Sequence, residues 1–224
     1  MNALLVIAKQ PTPGQTKTRL SPALAPAEAA ALYEAFLCDT LEIARAVPDV
    51  IRLIYFAPLD AAAYFAGLAP DFLLTPQSGF GLGERLEYVL TRYLNDGFQH
   101  VVVMDSDSPT LPPAFVAQAF RDLSEHEVVL GPCEDGGYYL IGLARPQPRL
   151  LLEVAMSQPN VLRDTLSLAE KEGLRVSLLP VWYDVDTPQE LVRLKAELAV
   201  SRDDHALHTR ALLAAITLPS KLQL

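Results

Sequence analysis

The sequence has little cysteine, no long apolar run and a shortage of positive charge. Its two cysteines, Cys38 and Cys133, are far apart, which favours the reduced thiols of a cytoplasmic protein over a disulfide framework. No apolar run approaches the roughly 20 residues of a membrane-spanning helix. Residues 1–8 lack the basic leader and cleavage site of a signal peptide and predict a first strand. We therefore expect a cytoplasmic protein that has no membrane partner.

The charge is strongly acidic overall and unevenly spread. The chain carries 18 lysines and arginines against 27 aspartates and glutamates, a formal net charge of −9, which argues against nucleic acid as a general partner. No acidic residue precedes Glu28, whereas Lys9, Lys17 and Arg19 all lie in the first twenty residues. A basic loop in an acidic protein predicts a local anionic ligand, and a solvated basic surface is the simpler alternative.

Apolar, strand-like runs alternate with segments of helical spacing along the 224 residues. The length suits one large domain with a substantial core, and the alternation predicts parallel βαβ units with helices on both faces of a sheet. We assign residues 1–200 to this α/β domain and residues 201–224 to a C-terminal helix and tail of the same domain. Strands are predicted at 3–8, 50–56, 72–74, 101–104, 128–130, 138–141 and 174–179, and helices at 27–46, 60–67, 84–95 and 160–172 and after Pro112, Thr187 and Ser201.

The strand predicted at residues 101–104 runs directly into a pair of carboxylates, Asp105 and Asp107. Side chains two positions apart in an extended chain lie on one face, and ligands of open α/β sheets bind at the carboxyl edge of the strands. Two hard oxygen donors there suit Mg²⁺ or Mn²⁺, which can in turn hold a diphosphate. A solvated turn whose aspartates bond their own backbone is the simpler alternative.

Two loops are candidates for contacts to a nucleotide. The loop at residues 9–20 follows the first strand and offers Lys17 and Arg19 to phosphate oxygens, but it has neither the Walker A spacing nor the dinucleotide-binding glycine pattern. The loop at residues 77–86 has glycines at 79, 81 and 83. Such spacing lets a backbone approach a planar ligand closely, and it equally suits an ordinary flexible turn.

Two further acidic clusters flank predicted strands. Glu134 and Asp135 precede a pair of glycines between two strands, so a tight hairpin is the simpler explanation. Residues 184–186 hold two more aspartates just before a helix whose start is marked by Thr187 and Pro188. Three acidic clusters beside strands, together with a basic loop after the first strand, predict a site for a metal ion and a diphosphate.

Five motifs follow one another, at residues 8–20, 81–85, 107–111, 134–139 and 184–188. In this combination the chain resembles the bacterial family called rSAM/selenodomain-associated transferase 1, which is assigned to glycosyltransferases of the nucleotide-diphospho-sugar transferase superfamily. Its relatives, the 2-phospho-lactate guanylyltransferases, carry a similar Lys-Thr-Arg-Leu loop and a similar Asp-x-Asp-Thr-Pro. The resemblance implies a single-domain GT-A-like (Rossmann-like) three-layer sandwich with a mixed, mainly parallel sheet.

The resemblance also implies roles for individual residues. Asp107 and Asp186 match the superfamily's metal ligands, and Asp105, where related sequences often carry a small residue, would assist them. Glu134 or Asp135 would act as the base toward an acceptor hydroxyl. The candidate contacts to the nucleotide and its phosphates are Lys9, Gly14, Lys17, Arg19, Gln77, Gly81, Gly83 and Arg85.

These residues predict a metal-dependent glycosyltransferase that moves a sugar from a nucleoside-diphosphate sugar to a small-molecule acceptor, with Mg²⁺ or Mn²⁺ as its cofactor. The first alternative is a guanylyltransferase-like nucleotidyltransferase that binds a nucleoside triphosphate and releases pyrophosphate, which the loop at residues 17–19 favours. The second is a non-catalytic protein that only binds a nucleotide. Assembly into a homo-oligomer is left open by the sequence.

Overall fold

A mixed sheet forms the centre of the computed structural model, which describes residues 1–21, 23–201 and 205–216. Within those residues seven strands lie in the spatial order β3-β2-β1-β4-β6-β5-β7. Neighbouring strands are parallel except that β6 runs antiparallel to β4 and to β5. The α/β fold with a mixed, mainly parallel sheet is therefore confirmed. The strands are β1 (Asn2–Lys9), β2 (Val50–Ala57), β3 (Leu73–Pro76), β4 (His100–Met104), β5 (Val128–Pro132), β6 (Tyr138–Leu143) and β7 (Val176–Leu178).

The helices follow the predicted alternation closely. The short helix α5 is the one addition, since five residues are too few to show a helical period. No helix in the described ranges combines the length and the apolarity needed to cross a bilayer. Residues 217–224, which include the predicted tail, lie outside the described residues. The helices are α1 (Pro26–Arg45), α2 (Ala62–Leu68), α3 (Leu82–Asn95), α4 (Pro113–Asp122), α5 (Pro148–Leu152), α6 (Val161–Lys171), α7 (Pro188–Val200) and α8 (Leu207–Ala215).

Alternation along the strands divides the core into two layers. In β1, Leu4 and Val6 face a cluster that contains side chains of α1, α2 and α4, whereas Ala3 and Leu5 face a cluster built with α3, α5 and α6. Successive side chains of a strand point to opposite faces, so an uninterrupted apolar run is buried on both sides. The result is a three-layer arrangement of helices, sheet and helices.

The parallel strands β1, β2 and β4 end at the same edge of the sheet. Lys9 pairs in register with Ala57 at the end of β2, and Val6 pairs with Met104 at the end of β4. The loops that follow β1 and β4 are consequently neighbours, although about a hundred residues separate them in the sequence. The strand pairing thus brings the predicted basic loop next to Asp105 and Asp107.

The C-terminal helix α8 is attached to α1 by a buried carboxylate. Asp39 is 3% exposed, and its two oxygens accept the backbone N–H groups of His208 at 3.0 Å and Thr209 at 2.8 Å. These N–H groups belong to the first turn of α8, where a helix has no internal partners for them. The negative charge also interacts favourably with the positive end of the helix dipole.

We expect Asp39→Ala to lower the free energy of unfolding by about 1.5–3 kcal/mol, because two buried N–H groups lose a charged acceptor. Chemical denaturation at pH 7 measures the change. Glu170→Ala, which removes an exposed carboxylate from α6, is the control and should stay within about 0.5 kcal/mol of the wild type. Equal stability of the Asp39 variant and the wild type would show that α8 docks without this cap.

Candidate active site

A cavity of about 410 Å³ opens at the carboxyl edge of the sheet. Its walls come from the ends of β1 and β4, the loop after β1, the start of α3 and the segment before α7. The basic loop and the acidic pair that the sequence singled out therefore face one space. Eight of the candidate residues line it, namely Lys9, Lys17, Arg19, Gln77, Arg85, Asp105, Asp107 and Asp186.

Lys17 lies between two carboxylates of this cavity. Its Nζ is 2.7 Å from Oδ1 of Asp107 and 2.7 Å from Oδ1 of Asp186, and only 5% of its side chain is exposed. Arg19 donates to the other carboxylate oxygen of Asp186 at 3.1 Å, from a side chain that is 68% exposed. A buried ammonium group thus joins the loops that follow β1 and β4 to the segment before α7.

The loop that carries Lys17 is held by its own hydrogen bonds. The N–H and the hydroxyl of Thr16 both donate to the carbonyl oxygen of Thr12, at 3.2 and 3.1 Å. Lys17 then adopts the left-handed backbone region with φ of 49°, and a single turn of 3₁₀ helix follows, in which Leu20 is fully buried. The left-handed region is unfavourable for a residue with a Cβ, and the buried leucine and the two ion pairs of Lys17 hold the chain in it.

The charges in this group shift each other's protonation equilibria. Burial alone would lower the pKa of Lys17, but the adjacent Asp107 and Asp186 outweigh it and raise the pKa above its usual value. Burial would likewise raise the pKa of Asp186, yet Lys17 and Arg19 hold it below the usual range. Near neutral pH the lysine is therefore charged and Asp186 is ionised.

Asp105 occupies a different environment from Asp107. It is half-buried, its Oδ2 accepts the hydroxyl of Ser108 at 3.1 Å, and its Oδ1 is buried without a hydrogen-bond partner. Burial, together with the charges of Asp107 and Asp184, raises the pKa of Asp105 well above the usual range. Its predicted part in metal binding stays a prediction.

The glycines of the predicted nucleotide site do not line the cavity. Gly14 forms part of the turn after β1 with φ of +75°, and Gly81 precedes α3, where its carbonyl oxygen accepts the N–H of Arg85 at 3.0 Å. A Cβ on Gly83 would lie 2.2 Å from the carbonyl oxygen of Leu151, so this glycine is needed for α3 to pack against α5. The predicted contacts of these glycines with a ligand stay predictions, and Gly83 has a structural role as well.

The two candidate bases lie outside the cavity as well. Both oxygens of Glu134 accept hydrogen bonds from Arg193, at 2.6 and 3.0 Å, and this pairing lowers the pKa of Glu134. A carboxylate held by arginine is a weak base, and the role predicted for Glu134 stays a prediction. Asp135 accepts the N–H of Gly137 at 2.8 Å in the hairpin turn between β5 and β6.

Asp135 belongs to a second group of polar side chains, which the sequence analysis did not recognise as a group. Ligand atoms of Cys133, Asp135 and Asp184 lie within 4.8 Å of one another. Burial and nearby aspartates raise the pKa of the Cys133 thiol far above its usual value, and burial with Asp186 and Asp135 raises the pKa of Asp184 to about 6. A protonated thiol is a poor ligand for a hard cation. The oxygens of Asp107 and Asp186, which converge on one ammonium group, suit Mg²⁺ or Mn²⁺ better.

Several cavity residues could not be identified from the sequence. The hydroxyl of Tyr33 lies 2.8 Å from that of Ser106 and accepts the N–H of Lys9 at 3.0 Å, which ties α1 to the ends of β1 and β4. Tyr33 falls in the apolar stripe of α1 and gave no separate signal. Ser157 lines the cavity with φ of 63° and lies in none of the five sequence motifs.

Residues 40–158 match the model of a family described as an uncharacterized protein conserved in bacteria (DUF2064). This match spans just over half of the chain, so the protein belongs to that family. The more specific family name suggested by the motifs stays a prediction.

Proteins of known structure and activity relate the chain to transferases. A protein from Desulfovibrio desulfuricans G20, provisionally described as a nucleotide-diphospho-sugar transferase, is 32% identical, with a TM-score of 0.86 over 96% of this chain and 94% of its own. The 2-phospho-L-lactate guanylyltransferase of Methanothermobacter thermautotrophicus is 29% identical over 78% of this chain and 76% of its own. Rv0371c of Mycobacterium tuberculosis H37Rv, solved in complex with manganese, is 19% identical over 86% of this chain and 96% of its own, with a TM-score of 0.56, and shares the fold. The prediction of a transferase is confirmed.

The ion pairs of Lys17 give a prediction for stability and its dependence on pH. Lys17→Ala leaves two carboxylates facing each other, so we expect a loss of about 2–3 kcal/mol in the free energy of unfolding at pH 7, reduced by the partial exposure of both acids. The pKa of Asp186 is lower in the folded protein than in the unfolded chain, where it is near 4, so the ionised carboxylate stabilises the fold above about pH 4. This stabilisation is lost as the pH falls through the folded-state pKa. The difference between variant and wild type should therefore shrink toward pH 3.

Denaturant unfolding of both proteins between pH 3 and 8 measures this effect. Lys171→Ala, which removes an exposed lysine at the end of α6, is the control and should show no such dependence on pH. A loss for Lys17→Ala that is constant over the whole range would mean that the lysine acts through packing and not through its charge.

Proposed function

We propose that the protein is a nucleotidyltransferase, which transfers a nucleoside monophosphate from a nucleoside triphosphate to a small-molecule acceptor and releases pyrophosphate. The sequence motifs predicted glycosyl transfer, with nucleotidyl transfer as the first alternative. We now prefer nucleotidyl transfer for two reasons. A guanylyltransferase is 29% identical over most of the chain, and the cavity contains more basic groups than a diphosphate requires.

The number of basic side chains in the cavity is the observation that carries the proposal. Lys9, Lys17, Arg19 and Arg85 all line it, in a protein whose net charge is −9. A nucleoside triphosphate carries roughly twice the negative charge of a nucleoside-diphosphate sugar, and the four basic groups would balance that charge once a metal ion neutralised Asp107 and Asp186, which line the same cavity. The four cations therefore fit a triphosphate better.

In the proposed reaction an oxygen of the acceptor attacks the α-phosphorus of the triphosphate. The bond from that phosphorus to the bridging oxygen breaks, and pyrophosphate leaves with the bonding electrons. Lys17 and Arg19 would neutralise charge that develops on the departing phosphates. A buried lysine that already faces anionic oxygens needs little reorganisation for this role, because its positive charge is held in place before the ligand arrives.

Asp107 and Asp186 would hold the Mg²⁺ or Mn²⁺ ion that such a reaction uses. The bound ion would supply charge neutralisation at phosphate oxygens. Two observations support this assignment. The carboxylate oxygens converge on one cationic group at 2.7 Å each, and Rv0371c, which shares the fold, was solved in complex with manganese.

Asp135 and Ser157 are the candidates for the acceptor side. Ser157 lines the cavity, and Asp135 belongs to the turn at residues 133–137 that packs against residues 157–160, where a Cβ on Gly136 would lie 1.8 Å from the carbonyl oxygen of Pro159. The two segments are thus in contact.

A pyrophosphate assay tests the proposed reaction. The wild type, incubated with each nucleoside triphosphate, Mg²⁺ or Mn²⁺ and a set of small phosphorylated or carboxylated acceptors, should release pyrophosphate. Asp107→Asn and Lys17→Ala should each lower the rate by about 10²–10³-fold, the usual effect of removing one electrostatic contact to a reacting group. Arg163→Ala, which removes an exposed arginine of α6, should leave the rate unchanged. Equal rates in all four proteins would contradict the assignment.

The two neighbouring acids of the turn provide a matched pair of variants. Glu134→Gln should leave turnover within about twofold of the wild type, because Arg193 holds both carboxylate oxygens of Glu134. Asp135→Asn should lower kcat by about 10²–10⁴-fold while sparing affinity for the triphosphate, as expected of a general base. Steady-state kinetics together with titration of the triphosphate separate these effects. The reverse pattern would return the role of base to Glu134.

Glycosyl transfer is the second candidate, supported by the relative from Desulfovibrio desulfuricans G20, which matches almost the whole chain. The products distinguish the two reactions. Nucleotidyl transfer consumes a triphosphate and releases pyrophosphate, whereas glycosyl transfer consumes a nucleotide sugar and releases a nucleoside diphosphate. A protein that binds nucleotides and yields neither product with any acceptor would be the non-catalytic alternative.

A further inference from the structure

Phe80 presents its ring to solvent at the edge of the candidate active site. The side chain is 99% exposed, the highest value among the large hydrophobic side chains in the described residues. It lies between Gly79 and Gly81, and its neighbours along the chain, Gln77 and Leu82, both line the cavity. Single exposed apolar side chains are common, so the case for a ligand rests on the position of Phe80 beside the cavity and on the hydrogen bonds that hold its loop.

The exposure of Phe80 does not come from a loose loop, because hydrogen bonds hold the backbone on both sides. The N–H of Phe80 donates to Oε2 of Glu84 at 2.9 Å, and Nε of Arg85 donates to the carbonyl oxygen of Gly79 at 3.0 Å. Gly79 has φ of +117°, and a Cβ there would lie 2.8 Å from the Cβ of Glu84. The tight turn therefore holds the backbone at Phe80 at a fixed point of the rim.

The wall beneath this loop is equally rigid. The amide nitrogen of Gln77 donates to the carbonyl oxygens of Ala8 and Tyr55, at 3.0 and 2.9 Å, and its Oε1 accepts Arg85 at 3.1 Å. All the hydrogen-bonding groups of the Gln77 side chain except one lone pair are thereby used within the protein. This end of the cavity consequently presents the apolar side chain of Leu82 to a ligand, with Phe80 beside it, while Arg85 directs two of its N–H groups to Gly79 and Gln77.

The two ends of the cavity differ in chemistry. The ion pairs of Lys17 with Asp107 and Asp186 mark the end that suits phosphates, and the loop with Phe80 borders the part formed by Gln77, Leu82 and Arg85. A nucleotide is charged at its phosphates and flat and weakly polar at its base, so its two ends match the two ends of the cavity. Aromatic rings stack on every nucleobase with little dependence on sequence.

We propose that Phe80 is a positioning residue that stacks on the base of the bound nucleotide and closes the outer end of the cavity. The inference rests on the proposed function only in requiring a nucleotide, since a nucleoside triphosphate and a nucleoside-diphosphate sugar both carry a base. Stacking contacts the face of a base, whereas the bases differ in the hydrogen-bonding groups along their edges. Phe80 would therefore bind the four bases with similar strength and would not by itself select one.

Binding measurements on three variants test the proposal. Isothermal titration with GTP, CTP, ATP, UTP and UDP-glucose, each with Mn²⁺, is compared with titration of inorganic tripolyphosphate, which has no base. Phe80→Ala should weaken binding of every nucleotide by about 10–100-fold and leave tripolyphosphate unchanged, which also shows that the variant is folded. Phe80→Tyr should restore binding. Leu152→Ala, which removes another exposed apolar side chain, is the control and should bind as the wild type does.

A fluorescence readout checks stacking directly. Phe80→Trp should show quenching of the added tryptophan with nucleotides and none with tripolyphosphate, beyond the small signal from Trp182 in the wild type.

In the titrations of Phe80→Ala, a loss of affinity for tripolyphosphate equal to that for GTP, or no loss for any nucleotide, would overturn the proposal. So would a dimer of the wild type that dissociates in Phe80→Ala with unchanged nucleotide affinity, because Phe80 would then contact a second copy of the chain. Binding of UDP-glucose in preference to all triphosphates, with the Phe80 effect intact, would overturn nucleotidyl transfer alone.

Discussion

The contact of Lys17 with Asp107 and Asp186 joins three segments that the sequence places far apart. The lysine follows β1, one aspartate follows β4, and the other precedes α7. The backbone repeats the connection, since the N–H of Val185 donates to the carbonyl oxygen of Asp107 at 3.0 Å. Two carboxylates this close would repel each other without a cation between them. The geometry of the candidate site therefore depends on a positive charge at this point, whether it belongs to the lysine or to a bound ion.

Most of the fold was predictable because its strands are apolar on both faces. The run at residues 3–8 and the strand before Asp105 show β-branched and aliphatic residues without interruption, and the helix that begins at Pro188 has its N-cap and its proline in the expected places. The position of β6 within the sheet could not be predicted from the sequence. Two strands joined by a tight turn predict a hairpin, but nothing in their residues indicates that β6 would pair with β4 on its other side.

The candidate site was predictable where charge is concentrated and unpredictable where side chains have ordinary structural uses. Lys17, Arg19, Asp107 and Asp186 stand out because charged residues gather at strand ends. Gly83 appeared equivalent to a ligand-binding glycine, yet its lack of a side chain serves the packing of α3 on α5. Glu134 looked like a candidate base, but the arginine that holds it lies 59 residues away and could only be found in three dimensions.

The insertion of β6 between β4 and β5 separates the molecule into two functional halves along the chain. The loops after β1 and β4 and the start of α3, which all come from the first 110 residues, form most of the charged wall of the cavity, and Asp186, before α7, completes it. The turn at residues 133–137 packs against Pro159, two residues after Ser157, which lines the same cavity. Turns of this kind tolerate changes of length and sequence more readily than buried strands. Under the proposed function, related chains could thus acquire new acceptors by altering this turn while the charged wall of the cavity stays unchanged.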